Sequence, residues 1–445
     1  MPSFGLAHPR GRFPFDRLTS AAFTRIARSP SYLAPRAADL HDPTTFQPPG
    51  PHTIAAGGAP DYAAWGATDL VVRGGYVEGM SLTGRAFISA GEVLFRLTPL
   101  RDVRLVAVQP FMRELAACPH LANLRRLDLT GNRIGPVGAR ELAASPHLNG
   151  LRELGLDGNA LGTDGVAALA AAPWLAGLTR LELADNGLAP ADVARVLARA
   201  VQLTGLDVSG SSLGRDAPSI VRPGLHSLAA ARCELGPDGI SGLVTGFGGN
   251  DLESLDLRHN RLGPAGIAAL ARRGPFPALG RLDLGFNDGD DAGFAGLATG
   301  AFPTVRVLGL RANRLNAVPA GPSPSTAVED LDLSVNPLGD DGAAAVARGF
   351  PNLTRLDFGN TALTDDGLRR LLPALPSGLR VFSLAWNPLG DAAAFALAGW
   401  PGLARLESLD LTGTRVGPRG AKALVESAHR RGAVALGDRF GTIPA

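Results

Sequence analysis

The sequence predicts a single α/β solenoid of stacked strand–helix units. Three observations carry this. The frame L-x-x-L-x-L-x-x-N-x-L recurs twelve times, beginning at Leu124, Leu151, Leu178, Leu203, Leu225, Leu252, Leu279, Val305, Val328, Leu353, Leu379 and Leu406, with successive starts 22 to 27 residues apart. The L-x-L pair alternates with period two, so both leucines of a short strand point the same way, into the solenoid. The stretch after the strand, as in GPVGARELAAS, GTDGVAALAAA, GPAGIAALARR and GDDGAAAVARGF, spaces small apolar residues three or four apart, which is a helical stripe. One such unit cannot bury its apolar face alone, and stacked neighbours create a continuous core.

Taken in order, residues 1–65 are rich in Pro, Ala and Arg and show no repeat, so a mobile N-terminal extension is expected, in which FDRLTSAAFTRIAR forms at most a short amphipathic turn. Its arginines fit an unstructured extension better than a targeting segment. Residues 66–123 hold two weaker frames, Val77-x-x-Met80-x-Leu82 and Leu100-x-x-Val103-x-Leu105, which read as N-terminal capping repeats covering the core end. Residues 124–430 are the twelve-repeat solenoid. Its Asn position (Asn132, Asn159, Asn186, Asn260, Asn287, Asn313, Asn336 and Asn387) turns inward, where the amide satisfies backbone groups of the turning chain. Ser211, Cys233, Thr361 and Thr414 replace it elsewhere. Gly-containing turns with Asp164, Asp238, Asp340 or Asp365 precede the helices and supply carboxylates to their N-termini. The eighth repeat, with NAVPAGPSPSTAVED, is expected to be loop or short 3₁₀ turns on its convex side. A polar helix in RGAKALVESAHRRGAVALGD and a short extended tail through residue 445 form the C-terminal cap.

This frame resembles the leucine-rich repeat, over residues 100 to about 430, and helix-bearing units of about 27 residues are similar to its ribonuclease-inhibitor-like class. The segment RGGYVEGMSLTGRAFISAGEVLFRLTPLRDVRL, the CPHLANL and SPHLNGL joints and the GNRIG turn are most similar to repeat-companion leucine-rich proteins of large bacterial genomes, especially planctomycetes. Members of that group commonly carry a short companion segment with a Tyr-Ala-Asp-Trp-Leu-Glu-Glu-like motif. Only DYAAW at residues 61–65 matches part of it, so the companion domain is expected to be absent or degenerate. The resemblance implies a curved horseshoe, with parallel strands on its concave side and mostly helices on its convex side, that binds proteins.

Composition excludes several classes. The 445-residue chain is 45% hydrophobic, too apolar for disorder, yet its longest apolar run, GVAALAAAPWLAGL, is broken by Gly165, Pro173 and Gly177 and is too short for a membrane span. A formal net charge of +2 gives no electrostatic reason to invoke nucleic acid or an anionic membrane. Cys118 and Cys233 have neither disulfide-framework nor zinc spacing, and no secretory leader is visible, which together point to a reducing cytoplasm. No nucleophile elbow, phosphate loop, HExxH or dinucleotide fingerprint appears, so a non-catalytic monomer without cofactor or metal is expected. His120 and His147 occupy equivalent PHL joints and are repeat features. NDGDDAG looks like a calcium loop but fails its template at Ala292 and Thr299, and reads as a helix N-terminus.

Candidate binding residues fall in two rows. The residue inside L-x-L faces the concave side: Asp128, Gly155, Glu182, Asp207, Ala229, Asp256, Asp283, Gly309, Asp332, Asp357, Ser383 and Asp410, of which eight are acidic. Arg126, Arg180, Arg281 and Arg355 two residues earlier, and Arg258 and Arg311 two residues later, are placed to compensate this row in part. It is either a solvated polar face or a surface for a basic partner. The residue before the Asn position is small or polar in most repeats, His259 among them, but becomes Phe286, Val335 and Trp386 in the C-terminal half. With Val307 and Val381 these form an expected apolar cluster, either a docking patch or rings folded onto adjacent loops. The function read from the residues is a scaffold binding a protein through the concave face. Regulation of an enzyme, as inhibitor or GTPase activator, and a secreted effector stay open beside it.

Overall fold

The computed structural model describes residues 62–73, 75–220, 224–246, 251–296, 301–317, 327–436 and 442–443. It divides into two compact units, Met1–Trp65 and Gly66–Ala445. Of the first, only the 3₁₀ turn Tyr62–Trp65 is described, with the two rings 6.4 Å apart between centroids. The extension expected over residues 1–61, the Pro-rich part of the eighth repeat (residues 318–326) and residues 437–441 of the tail lie outside the described residues.

The second unit is one sheet. Its strands are β1 (Thr68–Arg73), β2 (Tyr76–Thr83), β3 (Asp102–Val106), β4 (Arg126–Asp128), β5 (Glu153–Gly155), β6 (Arg180–Glu182), β7 (Gly205–Asp207), β8 (Ser227–Ala229), β9 (Ser254–Asp256), β10 (Arg281–Asp283), β11 (Val307–Gly309), β12 (Asp330–Asp332), β13 (Arg355–Asp357), β14 (Val381–Ser383), β15 (Ser408–Asp410), β16 (Ala433–Ala435) and β17 (Thr442–Ile443). From β2 to β16 every strand runs parallel to the next, without register slips, so equivalent frame positions lie side by side: Leu127 beside Leu154, Leu154 beside Leu181. These leucines are buried. Antiparallel strands close both ends, β1 on β2 and β17 on β16. The sequence carried a signal for the first of these in the Gly-Gly pair between TDLVVR and YVEGMSLT: Arg73 lies opposite Tyr76, and Gly75 sits at φ +87°.

Helices return the chain behind the strands, among them Gly135–Ala143, Gly162–Ala170, Gly263–Arg273, Gly339–Gly349, Asp391–Ala398 and Pro418–Glu426. A glycine three residues into the helix permits close stacking of repeats. A Cβ at Gly342 would lie 2.3 Å from the Asn316 carbonyl oxygen, and one at Gly239 would lie 2.4 Å from that of Gly214. The short fourth repeat replaces its helix by a 3₁₀ segment, Gly214–Ile220. In the seventh, the helix shrinks to Asp291–Phe294.

The first-turn aspartates do reach helix N-termini, but mostly those of the following repeat. Asp340 accepts from the Thr364 amide at 2.9 Å, Asp365 from Gly390 at 2.7 Å, and Asp391 from both Gly417 and Gly420, at 2.6 and 3.1 Å. These bonds join repeats along the convex side. In NDGDDAG, Asp290 caps its own helix at Gly293, Asp288 pairs with Arg314, and Asp291 accepts from the Asn316 and Ala317 amides of the next repeat, so all three carboxylates have protein partners.

The buried asparagines form a ladder. The Asn159 side-chain oxygen accepts from the Asn132 and Ile134 amides, at 3.0 and 3.3 Å, while its NH₂ donates to the Leu129 and Leu156 carbonyls, both at 2.9 Å. The same pattern recurs at Asn186, Asn260, Asn287, Asn313, Asn336 and Asn387. It weakens where Ser211 and Cys233 intervene: the Cys233 thiol makes only long contacts to the Val208 and Ala231 carbonyls, and the Ser211 hydroxyl has no described partner.

Candidate protein-binding surface

Strand register aligns the inner row as the frame implies, and Asp256, Asp283, Gly309, Asp332, Asp357, Ser383 and Asp410 stand side by side on β9–β15. The row is only partly open to solvent. Asp283 is only 5% exposed, and the others are half-buried. Its aspartates share a turn-forming bond, in which the carboxylate accepts the backbone N–H two residues later. Asp128 takes it from Thr130, Asp207 from Ser209, Asp256 from Arg258, Asp283 from Gly285, Asp332 from Ser334, Asp357 from Gly359 and Asp410 from Thr412, at 2.8–3.1 Å. This is Asx-turn chemistry at the strand exit, for which a short acceptor is needed and Glu is too long.

Charge compensation is uneven. Arg258 pairs with Asp256 at 2.6 Å and lies 3.6 Å from Asp283; Arg180 pairs with Glu182 at 2.9 Å. Three of the other arginines make their closest contacts elsewhere. Arg126 reaches Glu153 on the next strand, Arg355 turns back to Asp330 at 3.4 Å, and Arg311 donates to the Ser334 hydroxyl. Burial, and next its neighbour Asp357, push the Asp332 carboxyl up to about 7. Burial raises Asp207 to about 6, and burial together with Asp207 and Glu182 raises Asp157 to about 8. Asp157, just beyond the strand and bonded to the Ala184 amide at 2.8 Å, was not among the sequence candidates. The L-x-L frame hides it because it lies outside the pair. At Gly155 a Cβ would come within 3.0 Å of the Asp128 carboxylate and 3.2 Å of that of Glu182, so two further charges converge there.

The second row has a backbone signature. All twelve residues before the Asn position adopt the left-handed conformation, from Gly131 at φ +75° through Phe286 at +58°, Val335 at +60° and Trp386 at +59° to Gly413 at +72°. This explains the frequent glycine, and it makes each bulky residue there strained, most of all β-branched Val335. Val335→Asn is therefore expected to stabilise the fold by about 1 kcal/mol, read by urea denaturation. An unchanged or lower midpoint would mean that its packing outweighs the strain.

The expected continuous apolar cluster is divided. Phe286 stacks on His259, centroids 4.0 Å apart and 15° from parallel, with the Arg311 guanidinium 5.8 Å from its centroid. Trp386, four strands further on and so about 19 Å away, is 66% exposed and lies instead over Gly413 of the next repeat, where a Cβ would stand 2.5 Å from the indole. Ala312 and Asn360 separate Phe286, Val335 and Trp386 from one another along the row. Val307 and Val381 are half-buried on β11 and β14, beside Arg281 and Asp330 and beside Arg355 and Ser408 respectively.

Among the described residues, no group of three or more His, Cys, Asp or Glu is arranged to hold a metal ion, and no helix is long and apolar enough to cross a membrane. The His120 ring stacks on Phe95 at 5.5 Å, a packing contact.

Five segments, residues 120–143, 250–271, 325–347, 351–372 and 405–425, match the model of the Leucine Rich repeat family. Among solved structures, an internalin from Listeria monocytogenes aligns over 81% of this chain and 87% of its own, at 14% identity and a TM-score of 0.38. The family matches, the parallel in-register sheet and the asparagine ladder lead to one conclusion: the chain folds as an α/β leucine-rich repeat solenoid.

Proposed function

We propose that the chain is a non-catalytic scaffold that binds a protein partner through the concave face of its sheet. One observation carries this reading. The turn chemistry of the inner row requires a short oxygen acceptor, which asparagine supplies without charge, yet the row holds aspartates. Burial and neighbouring carboxylates push Asp207 and Asp332 upward, so the charge itself works against the fold. Charge retained against stability fits a surface used for recognition.

The test is photo-crosslinking, since Lys422 is the chain's single lysine and amine-reactive reagents have almost nothing to attack. A photoreactive residue at Ala229 or Ser383, on the inner row, is expected to capture a protein from native lysate, and to capture less as salt rises. The same group at Val137, on the helix Gly135–Ala143, is expected to capture none. Capture at Val137 alone would overturn the concave-face reading.

A further inference from the structure

The face around Trp386 combines an aromatic plane with carboxylates that lack ion-pair partners. Its backbone is held at φ +59°, where sister repeats place glycine, and its amide donates to the Thr412 carbonyl at 2.8 Å. The Thr412 amide in turn donates to Asp410 at 2.9 Å, which ties the indole's base to the inner row. Gly413 beneath the ring leaves room for it to lie flat, and the exposed remainder faces solvent. Strain is thus accepted at a residue whose side chain is two-thirds exposed, although Gly413 shows that the same turn closes without any side chain.

The charge around it is mainly acidic. Asp332, Asp357 and Asp410 stand in register on β12, β13 and β15. Among the described residues none of the three has an arginine at ion-pair distance: Arg355 turns to Asp330, and Arg311, which donates to Ser334, acts on Asp332 and Asp357 only through space. Burial, with the neighbouring carboxylate second, raises Asp332, and burial raises Asp357. The N-terminal side of the row differs, since Glu182 and Asp256 each have an arginine at hydrogen-bonding distance.

We propose that this face seats an extended, arginine-bearing segment of the partner, with one arginine stacked on Trp386 and its neighbours paired to Asp332, Asp357 and Asp410. The inference deepens the concave-face reading and rests on it. Arginine fits both features at once: its planar guanidinium stacks on an indole, and its five donors suit carboxylates two at a time. Lysine, a compact and strongly hydrated point charge, is drawn to both features but has neither a plane to stack nor a fork to pair a carboxylate bidentately. Asp332 and Asp410 lie three strand spacings apart, about 14 Å, which is the span of two steps between alternate side chains of an extended segment.

The chain reports on this site through its own fluorescence. Of its four tryptophans, Trp65, Trp174 and Trp400 are buried, so acrylamide quenching is dominated by Trp386. A synthetic peptide alternating arginine and serine is expected to protect Trp386 from acrylamide and to bind about tenfold more tightly than its lysine counterpart. Trp386→Ala and Asp410→Asn are each expected to weaken binding, measured by anisotropy of a labelled peptide, by about tenfold, while Trp386→Phe, which keeps an aromatic plane, retains most of it. Equal affinity of the wild type and Trp386→Ala for the arginine peptide, or equal protection by a glutamate–serine peptide, would overturn the proposal. Thermal melts of each variant separate a lost site from a lost fold. Should the arginine peptide fail while crosslinks from Ala229 and Ser383 persist, this inference falls and the concave-face reading stands. Loss of those crosslinks removes the reading itself.

Discussion

Asn159→Leu is expected to lower the unfolding free energy by about 4 kcal/mol and to reduce the denaturation midpoint more than any substitution on the protein surface. The side chain is fully buried and bonds five main-chain groups at 3.3 Å or less: the Asn132 and Ile134 amides and the Leu129, Leu156 and Asp157 carbonyls. Leucine fills a similar volume, so the cost is that of leaving the two amide donors buried without partners, each about 1–3 kcal/mol, while the Leu129 and Leu156 carbonyls keep the bonds they accept from Asn132 and Asn186. Chemical denaturation followed by circular dichroism measures it. A loss below about 1 kcal/mol would mean that water or neighbouring groups replace the amide. The ladder would then be a packing device rather than a hydrogen-bonding one.

The second large effect is a dependence on pH opposite to that of ordinary salt-bridged carboxylates. Asp157 ionises in the unfolded chain near 3.8 and in the folded chain near 8. Between those values the folded state holds the extra proton, so stability contributed by this group is fully present below pH 3.8 and is lost as pH rises through about 8. Asp332, at about 7, and Asp207, at about 6, act in the same direction. Asp340 acts oppositely: the Thr364 amide and hydroxyl outweigh its burial and hold its carboxyl below the usual range, so its contribution is lost as pH falls below 3.8. Asp157→Asn keeps an oxygen for the Ala184 amide and removes the charge. At pH 9 this variant is expected to be more stable than the wild type by about 2 kcal/mol, and at pH 4 the two should coincide. A parallel pair of stability curves across this range would show that solvent already relieves the charge.

The strand positions, the inward asparagines and the helical returns were legible because each depends on local period and on side-chain types that repeat. Less legible was anything set by the neighbouring repeat. That Asp391 caps Gly417 and Gly420 rather than its own helix depends on how the helices stack, and no spacing within one repeat encodes it. The inner row was found by alternation, but its burial and its Asx turns required coordinates. Counting by twos placed Arg126 and Arg355 beside Asp128 and Asp357, whereas their side chains lean across to Glu153 and Asp330 on adjacent strands. The apolar cluster looked continuous when positions were aligned as a column of letters. The intervening Ala312 and Asn360, and the opposite leanings of Phe286 and Trp386, divide it.

The asparagine ladder also has a direction. Each amide serves the turn of the repeat before it as well as its own, Asn159 holding the groups of Asn132, Ile134 and Leu129. A chain made from its N-terminus therefore carries, at every moment of synthesis, one last turn whose polar groups await the next repeat. Deleting repeats from the front removes the served and leaves their servers merely underused. Deleting them from the back orphans the turn left at the new end. Thr414 marks the end of the series: its hydroxyl donates only to Leu411 within its own turn, so it closes a loop without reaching back to the repeat before it.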